Sequence, residues 1–327
     1  MGRYAVKRLM WLIPVLFLIS FVTFFLMYLS PGDPARIFLS QGGDVPTAEA
    51  VAELSEKLGL DKPVWEQYGS WLVNVLHGDL GTSIFTGNPV IQEIITYFPN
   101  TLRLTLLGMV LTVMVSVPLG ILLAVRENGI VDHVVRGICF MLGSLPGFFA
   151  AFLLVYILGV RLRWLPTVSS GSSRGIWIPA LTLMFTLAPG YIRQIRAAVI
   201  RELSEPYIRM ARARGIRENM ILYGGVLRSV FPSLITILGM GIGRLLGGTA
   251  IIEIVCTYQG LGRLAVNSIT NRDYPLMQGF VLMMALIYVL VNLIADLLHA
   301  WADPRVKQKL VEENGKRGGY AKKKENI

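Results

Sequence analysis

Charge is scarce in this chain of 327 residues: Asp, Glu, Lys and Arg make up 16% of it, against 54% hydrophobic residues. Soluble domains are about one quarter charged, so an ordinary soluble globular class is excluded. Cysteine is almost absent. Cys139 and Cys256 both lie inside apolar runs, and no disulfide framework is implied. His77, His133 and His299 are the three histidines; none stands in a His-Glu-x-x-His arrangement, and no Cys-x-x-Cys occurs. A metal-enzyme site has little to build on. The phosphate-loop pattern Gly-x-x-x-x-Gly-Lys-[Ser/Thr] is also missing, so the chain does not hydrolyse ATP in that manner. No catalytic residue and no metal ligand is assigned, and the chain is not read as an enzyme.

What the chain has in quantity is long apolar runs. Six are long enough to cross a bilayer, which takes about 20 residues each. They lie at about 9–29, 101–125, 137–160, 176–192, 230–256 and 277–301. The first follows Arg3, Lys7 and Arg8 and superficially resembles a signal peptide. Its length and the lack of a small-x-small cleavage site make it a retained helix. The expected fold class is an all-α polytopic membrane protein.

The formal charge of +10 has two readings, nucleic acid or basic cytoplasmic loops. The distribution decides for the second. The N-terminus, the 126–136 and 193–228 loops and the tail after Trp301 hold 21 of the 31 Lys and Arg, and the opposite loops hold eight. Both termini are therefore expected in the cytoplasm, with membrane lipid and no nucleic acid as partner. The parts are a first helix (1–30), an external segment (31–100), a five-helix core (101–301) and a basic tail (302–327).

The external segment is patterned. Thr47 suits the cap of a helix through Leu58, with Glu49 in its first turn. Pro63 suits the opening of a second, on which Val64, Tyr68, Trp71, Leu72, Val75 and Leu76 share one face. With three basic and nine acidic residues, the segment reads as a small acidic helical cap outside the membrane where an external partner could dock.

Within the 193–228 loop, Pro206 suits the first turn of a helix and Gly215 its end, and a second helical run leads to Arg228. The pattern fits either helices inserted into a groove on a cytoplasmic protein or a basic loop lying on anionic headgroups. In the fifth span, Gly239, Gly243 and Gly247 repeat every four residues, a helix-packing spacing. Arg244 and Glu253 share that span. Charge in hydrocarbon needs a partner or a water-filled path, so both are candidate pathway or mouth residues, as well as candidate buried bridges. Asp296, one turn before His299, has the same two readings. Pro14, Pro118, Pro146, Pro179 and Pro189-Gly190 interrupt spans, as in broken transporter helices and in ordinary membrane helices.

Several short motifs occur in a telling order: Ser30-Pro31-Gly32-Asp33-Pro34, Gly78-Asp79-Leu80-Gly81-Thr82-Ser83, Trp164-Leu165-Pro166, Ala211-Arg212-Ala213-Arg214-Gly215, Gly260-Leu261-Gly262, Arg272-Asp273-Tyr274-Pro275 and Asp303-Pro304-Arg305. With them the chain resembles, over about residues 1–307, a permease subunit of ATP-binding-cassette importers of the dipeptide, oligopeptide and nickel group. The resemblance implies that Tyr207, Arg209, Ala211, Arg214, Gly215 and Arg217 belong to a coupling helix docking on an ATPase; Asp273, within one of these motifs, joins Arg244 and Glu253 as a candidate pathway or mouth residue. It implies two cytoplasmic ATPase subunits that bind ATP and Mg, a homologous second permease and an extracytoplasmic solute-binding protein, with transport by alternating access. Here Arg209-Met210-Ala211 replaces the superfamily's Glu-Ala-Ala, and Cys256 and Gln259 replace the branch's usual aromatic and Pro. The solute expectation leans to nickel or a nickel chelate, with small peptides as the alternative.

Overall fold

A computed structural model describes residues 2–29, 32–40, 45–169 and 174–302. The side chains of residues 2–9, 11, 233, 236, 240, 242–244, 246–248 and 295–302 lie outside that description, as does the basic tail. The described residues form helices and no strand, with one isolated bridge between Thr82 and Pro89.

The first helix, α1 (Gly2–Leu29), is followed by three short ones: α2 (Pro34–Ser40), α3 (Ala48–Lys57) and α4 (Val64–Leu76). Local signals set α3. The Thr47 hydroxyl accepts the Ala50 N–H at 3.3 Å, and the helix closes at Leu58. The apolar face of α4 does not stand off as a detached cap. Tyr68 is buried among Phe17, Phe21, Phe24 and Phe25 of α1, and its hydroxyl shares a hydrogen bond with Ser20 (3.1 Å). Edge-on aromatic pairs of this kind add to plain area burial. The cap is thus bound to the C-terminal half of the first helix.

The core is α5 (Val90–Val125) lying along the later helix α8 (Trp177–Leu203). A stripe of small residues makes the approach possible: Thr101, Thr105, Gly108, Thr112, Ser116 and Gly120 are all buried. A Cβ at Gly108 would lie 2.8 Å from Leu183, and one at Gly120 would lie 2.7 Å from Ile195. Small residues at such spacing let membrane helices pack backbone to backbone.

Between these two helices the expected 137–160 span takes another form. Two helices, α6 (Ile130–Ser144) and α7 (Gly147–Leu154), meet at 101°, and a π-turn over Val155–Arg161 continues α7. The cause is local. Pro146 disfavours the helical conformation at the residue before it, and Leu145 is extended (φ −78°, ψ 131°).

After α8 come α9 (Pro206–Ala213), the short α10 (Glu218–Met220), a π-turn over Ile221–Val226, and α11 (Leu227–Gly248). The chain closes with α12 (Ala250–Val255), α13 (Leu261–Asn271) and α14 (Tyr274–Ala302). The expected fourth span thus runs on, within α8, to Leu203. The fifth is divided between α11 and α12. Among the described residues α1, α5 and α14 each contain a stretch long and apolar enough to cross a membrane, and the bent α6–α7 pair qualifies as a unit.

Candidate functional site

The basic loop folds as a compact corner at the end of α8. Glu205 is extended, Pro206 opens α9, and Arg214 ends it. Gly215 then takes φ +73°, where L side chains are strained. The Gly215 N–H reaches the Arg212 carbonyl (2.9 Å) and the Ile216 N–H the Ala211 carbonyl (3.2 Å). This pair of bonds is a Schellman closure, which satisfies carbonyls the helix end leaves open.

Two side-chain contacts meet at the corner. Ile208 is 1% exposed and belongs to the main apolar cluster. Arg212 grips Glu218 with two bonds (2.7 and 3.2 Å) across the Gly215 turn. Tyr207 is half-exposed and donates its hydroxyl to Glu202; burial first, and that carboxylate second, push it up to about 12. Arg209, Arg214 and Arg217 face outward, with Met210 and Ile216 exposed beside them. The structure therefore gathers Tyr207, Arg209, Ala211, Arg214, Gly215 and Arg217 on one corner. Ile208 and the Arg212–Glu218 bridge were not singled out by sequence. An Ile between Tyr207 and Arg209 in a helix with a basic opposite face was the signal for the first.

At the other end, segments carrying the short motifs converge. A Cβ on Gly32 (φ +128°) would lie 2.7 Å from the Arg272 guanidinium. Asp273 is 1% exposed; it accepts the Ser83 hydroxyl and the Ile84 N–H, and it caps α14 through the Leu276 N–H (3.3 Å). Gly81 meets Pro275, and a Cβ at Gly279 would lie 2.5 Å from Val90. Asp273 thus sits inside a joint between the 78–90 loop and the start of α14.

Glu253 is fully buried. Its carboxylate accepts the hydroxyls of Thr101 and Thr249 (2.8 Å each) and the Arg263 N–H (3.0 Å). Gly260 is pressed against it, since a Cβ there would lie 2.5 Å from the carboxylate. Thr101 in turn accepts the Leu261 N–H (2.7 Å). Gly260, the N-cap of α13, has no side chain to offer, and Glu253 and Thr101 instead serve two orphan donors of that helix, the Arg263 and Leu261 N–H groups. The structure thus places Glu253 at a buried helix junction.

The α11 glycines divide. Gly239 is half-buried, whereas the surroundings of Gly243, Arg244 and Gly247 lie outside the described residues. Among the described residues of α11, Gly241 is at a close contact: a Cβ there would lie 2.7 Å from Met109 and closer still to the Tyr191 hydroxyl. Another site missed by sequence lies in the first turn of α6. Asp132 is fully buried and takes two bonds from Arg196 of α8 (2.8 Å each) and the Asn128 N–H. Among the described residues no three His, Cys, Asp or Glu side chains form a metal-holding group.

The described residues thus form a helical bundle with a basic, core-anchored corner at one end and loops stapled by buried side chains at the other. Residues 116–308 match the family described as binding-protein-dependent transport system inner membrane component, residues 1–105 match its N-terminal companion, and the chain belongs to this family. It is a multi-pass inner-membrane permease of the ATP-binding-cassette importer class, not an enzyme. Relatives include the glutathione transport system permease protein GsiC of Pectobacterium atrosepticum, 38% identical over 94% of this chain and 100% of that protein. The GsiC protein of Escherichia coli K12 is 37% identical over the same shares. The fold also resembles the membrane chain of the inward-facing MetNI methionine transporter, with TM-score 0.56, 19% identity, and coverage of 65% of this chain and 97% of that one.

Proposed function

We propose that this chain forms the solute path of an ATP-driven, binding-protein-dependent importer of short peptide-like solutes, paired with a homologous second permease. ATP and Mg act on two partner ATPases, and an extracytoplasmic binding protein delivers the solute. The observation that carries the coupling role is the α9 corner. Ile208 ties it to the core while Arg209, Arg214 and Arg217 face outward, so a partner's movement is passed to α8 and α11 through packed side chains. ATP binding must favour one bundle arrangement over the other by differential contact energy, and a rigid corner joins the two sites.

For the solute, full-length relatives named as glutathione permeases favour the peptide alternative over nickel. The test is uptake in cells lacking this chain, with and without its re-expression. Labelled glutathione, a labelled dipeptide and labelled nickel are offered side by side. Restored peptide or glutathione uptake is the expected result; restored nickel uptake alone overturns the solute assignment.

The coupling assignment has its own test at Gly215. A Cβ there meets nothing within 4 Å, so the cost of substitution is conformational: about 1–2 kcal/mol for most residues, less for Asn, which tolerates that backbone. Gly215→Asp adds a carboxylate to the basic docking face and is expected to stop uptake while the chain still inserts. Gly215→Asn is expected to retain most transport. Normal uptake by Gly215→Asp sinks the coupling role.

A further inference from the structure

The break between α6 and α7 lies at a depth where exposed backbone is hard to tolerate. Gly143 packs toward Pro189 (3.8 Å from a built Cβ) and Gly147 toward Thr186 (3.5 Å). The same level of α8 is tied to α5 by Ser116, whose hydroxyl reaches the Ala188 carbonyl at 3.4 Å. Ser116 is nine residues from the Val125 end of α5, or about 14 Å at 1.5 Å per residue. That is close to half of a hydrocarbon core of about 30 Å. The bend is therefore near the middle of the membrane.

At that depth Gly143, Ser144 and Pro146 are exposed, and Leu145 and Gly147 are half-buried. No side chain caps α7 at Pro146, and a helix's first N–H groups have no partner within it. Across from the bend, Pro189 has no N–H to give the carbonyl one turn earlier in α8, and a Cβ on Gly190 would meet nothing within 4 Å. Irregular backbone facing lipid at this depth is not tolerated; it must face protein or a water-filled cavity. A helix from a second subunit has its own backbone groups bonded internally and offers them little. Water and a peptide solute, both rich in donors and acceptors, satisfy them directly.

Resting on the importer reading above, we infer that the α6–α7 bend, residues 143–147, lines the aqueous solute path at mid-membrane depth. The Ser144 hydroxyl already donates to the Phe140 carbonyl (2.8 Å), the Leu145 N–H to the Leu142 carbonyl (3.2 Å), and the Pro146 carbonyl accepts from Phe149 and Ala150. The Gly147 N–H and the carbonyls of Gly143, Ser144 and Leu145 are therefore the groups that would contact the amides of a short peptide. In secondary transporters, discontinuous helices at the midplane form such contacts.

The test is thiol accessibility in membrane vesicles holding the complete transporter. Cys139 and Cys256 are buried, so the parent chain sets the background. Ser144→Cys is compared with Leu18→Cys on α1, an exposed apolar position (61%) within an apolar membrane-length stretch, using a membrane-impermeant thiosulfonate. The expected result is labelling of Ser144→Cys several-fold faster than Leu18→Cys, with a rate that changes when ATP and vanadate trap the complex. Equal, slow labelling at both positions overturns the inference, as does a photocrosslinker at 144 that captures the second permease in every state. Should Ser144→Cys fail to insert, Gly143→Cys gives the same readout, since a Cβ there has room. Uptake by the same cells reports separately on the importer reading, so the two can fail independently.

Discussion

Around Glu253 and Asp273, side chains bind segments more than 150 residues apart in sequence: Thr101 to Glu253 and Ser83 to Asp273. At the opposite end, the α9 corner is held to the bundle by one buried aliphatic side chain, Ile208, and by the half-exposed Tyr207 hydroxyl on Glu202, and its other bonds are local turns and an exposed ion pair. Buried polar networks that are fully satisfied rigidify what they join, and removing a member leaves the others unpaired at high cost. Apolar anchoring is non-directional and tolerates small shifts of one surface over another. On the proposed coupling role, the Glu253–Asp273 end is the fixed frame and the α9 end the lever.

The sharpest way to break this comparison is at Glu253. Glu253→Ala would leave two hydroxyls and one backbone N–H buried without acceptor, each at about 1–3 kcal/mol, enough to threaten the whole fold. The expected outcome is loss of the folded chain from detergent extracts, read as aggregation on size-exclusion chromatography. Gly260→Ala should do the same by collision with the carboxylate. Glu253→Gln keeps one acceptor oxygen and should be intermediate. If Glu253→Ala elutes like the parent chain, the frame does not depend on this carboxylate.

Next in size is Ile208→Ala. Truncating a fully buried Ile costs about 2–5 kcal/mol, but here the loss falls on the joint between α9 and the bundle. The chain should insert and keep the Glu253 end intact, while solute uptake collapses and ATP hydrolysis by the complex persists. A variant that loses both together would show that the lever and the frame are not separable. Asp132→Ala comes third. It strips Arg196 of two charge-assisted bonds at about 1.5–3 kcal/mol each before water moves in, and should lower the thermal midpoint without uncoupling transport.

Which of these features the sequence displays follows from how far apart their parts lie. The α9 corner was legible because Pro206, the basic residues and Gly215 act within one short stretch. The Thr47 cap of α3 was legible for the same reason. The Glu253 and Asp273 partners were not, because nothing in the periodicity of α12 or the start of α14 points to Thr101 or Ser83. The bend at Leu145–Pro146 was half legible: proline announced an interruption, but nothing in the sequence gives its 101° angle. The stripe from Thr101 to Gly120 stands in the sequence as plainly as Gly239, Gly243 and Gly247. Its threonines and serine read as ordinary span residues until α8 lies on them.

The smallest expected effect tests whether the lever's surface bonds matter at all. Arg212 and Glu218 are well exposed (44% and 65%), and solvent-screened bridges of that kind contribute little to stability. The Schellman bonds from Gly215 and Ile216 remain when Arg212 becomes Ala, so the turn should hold. Arg212→Ala should therefore leave the thermal midpoint within error and change uptake little in low salt, where its charge still counts most. A large fall in uptake with an unchanged midpoint would mean that the bridge orients the corner for its partner. The coupling surface would then extend past Gly215 to Glu218 and α10.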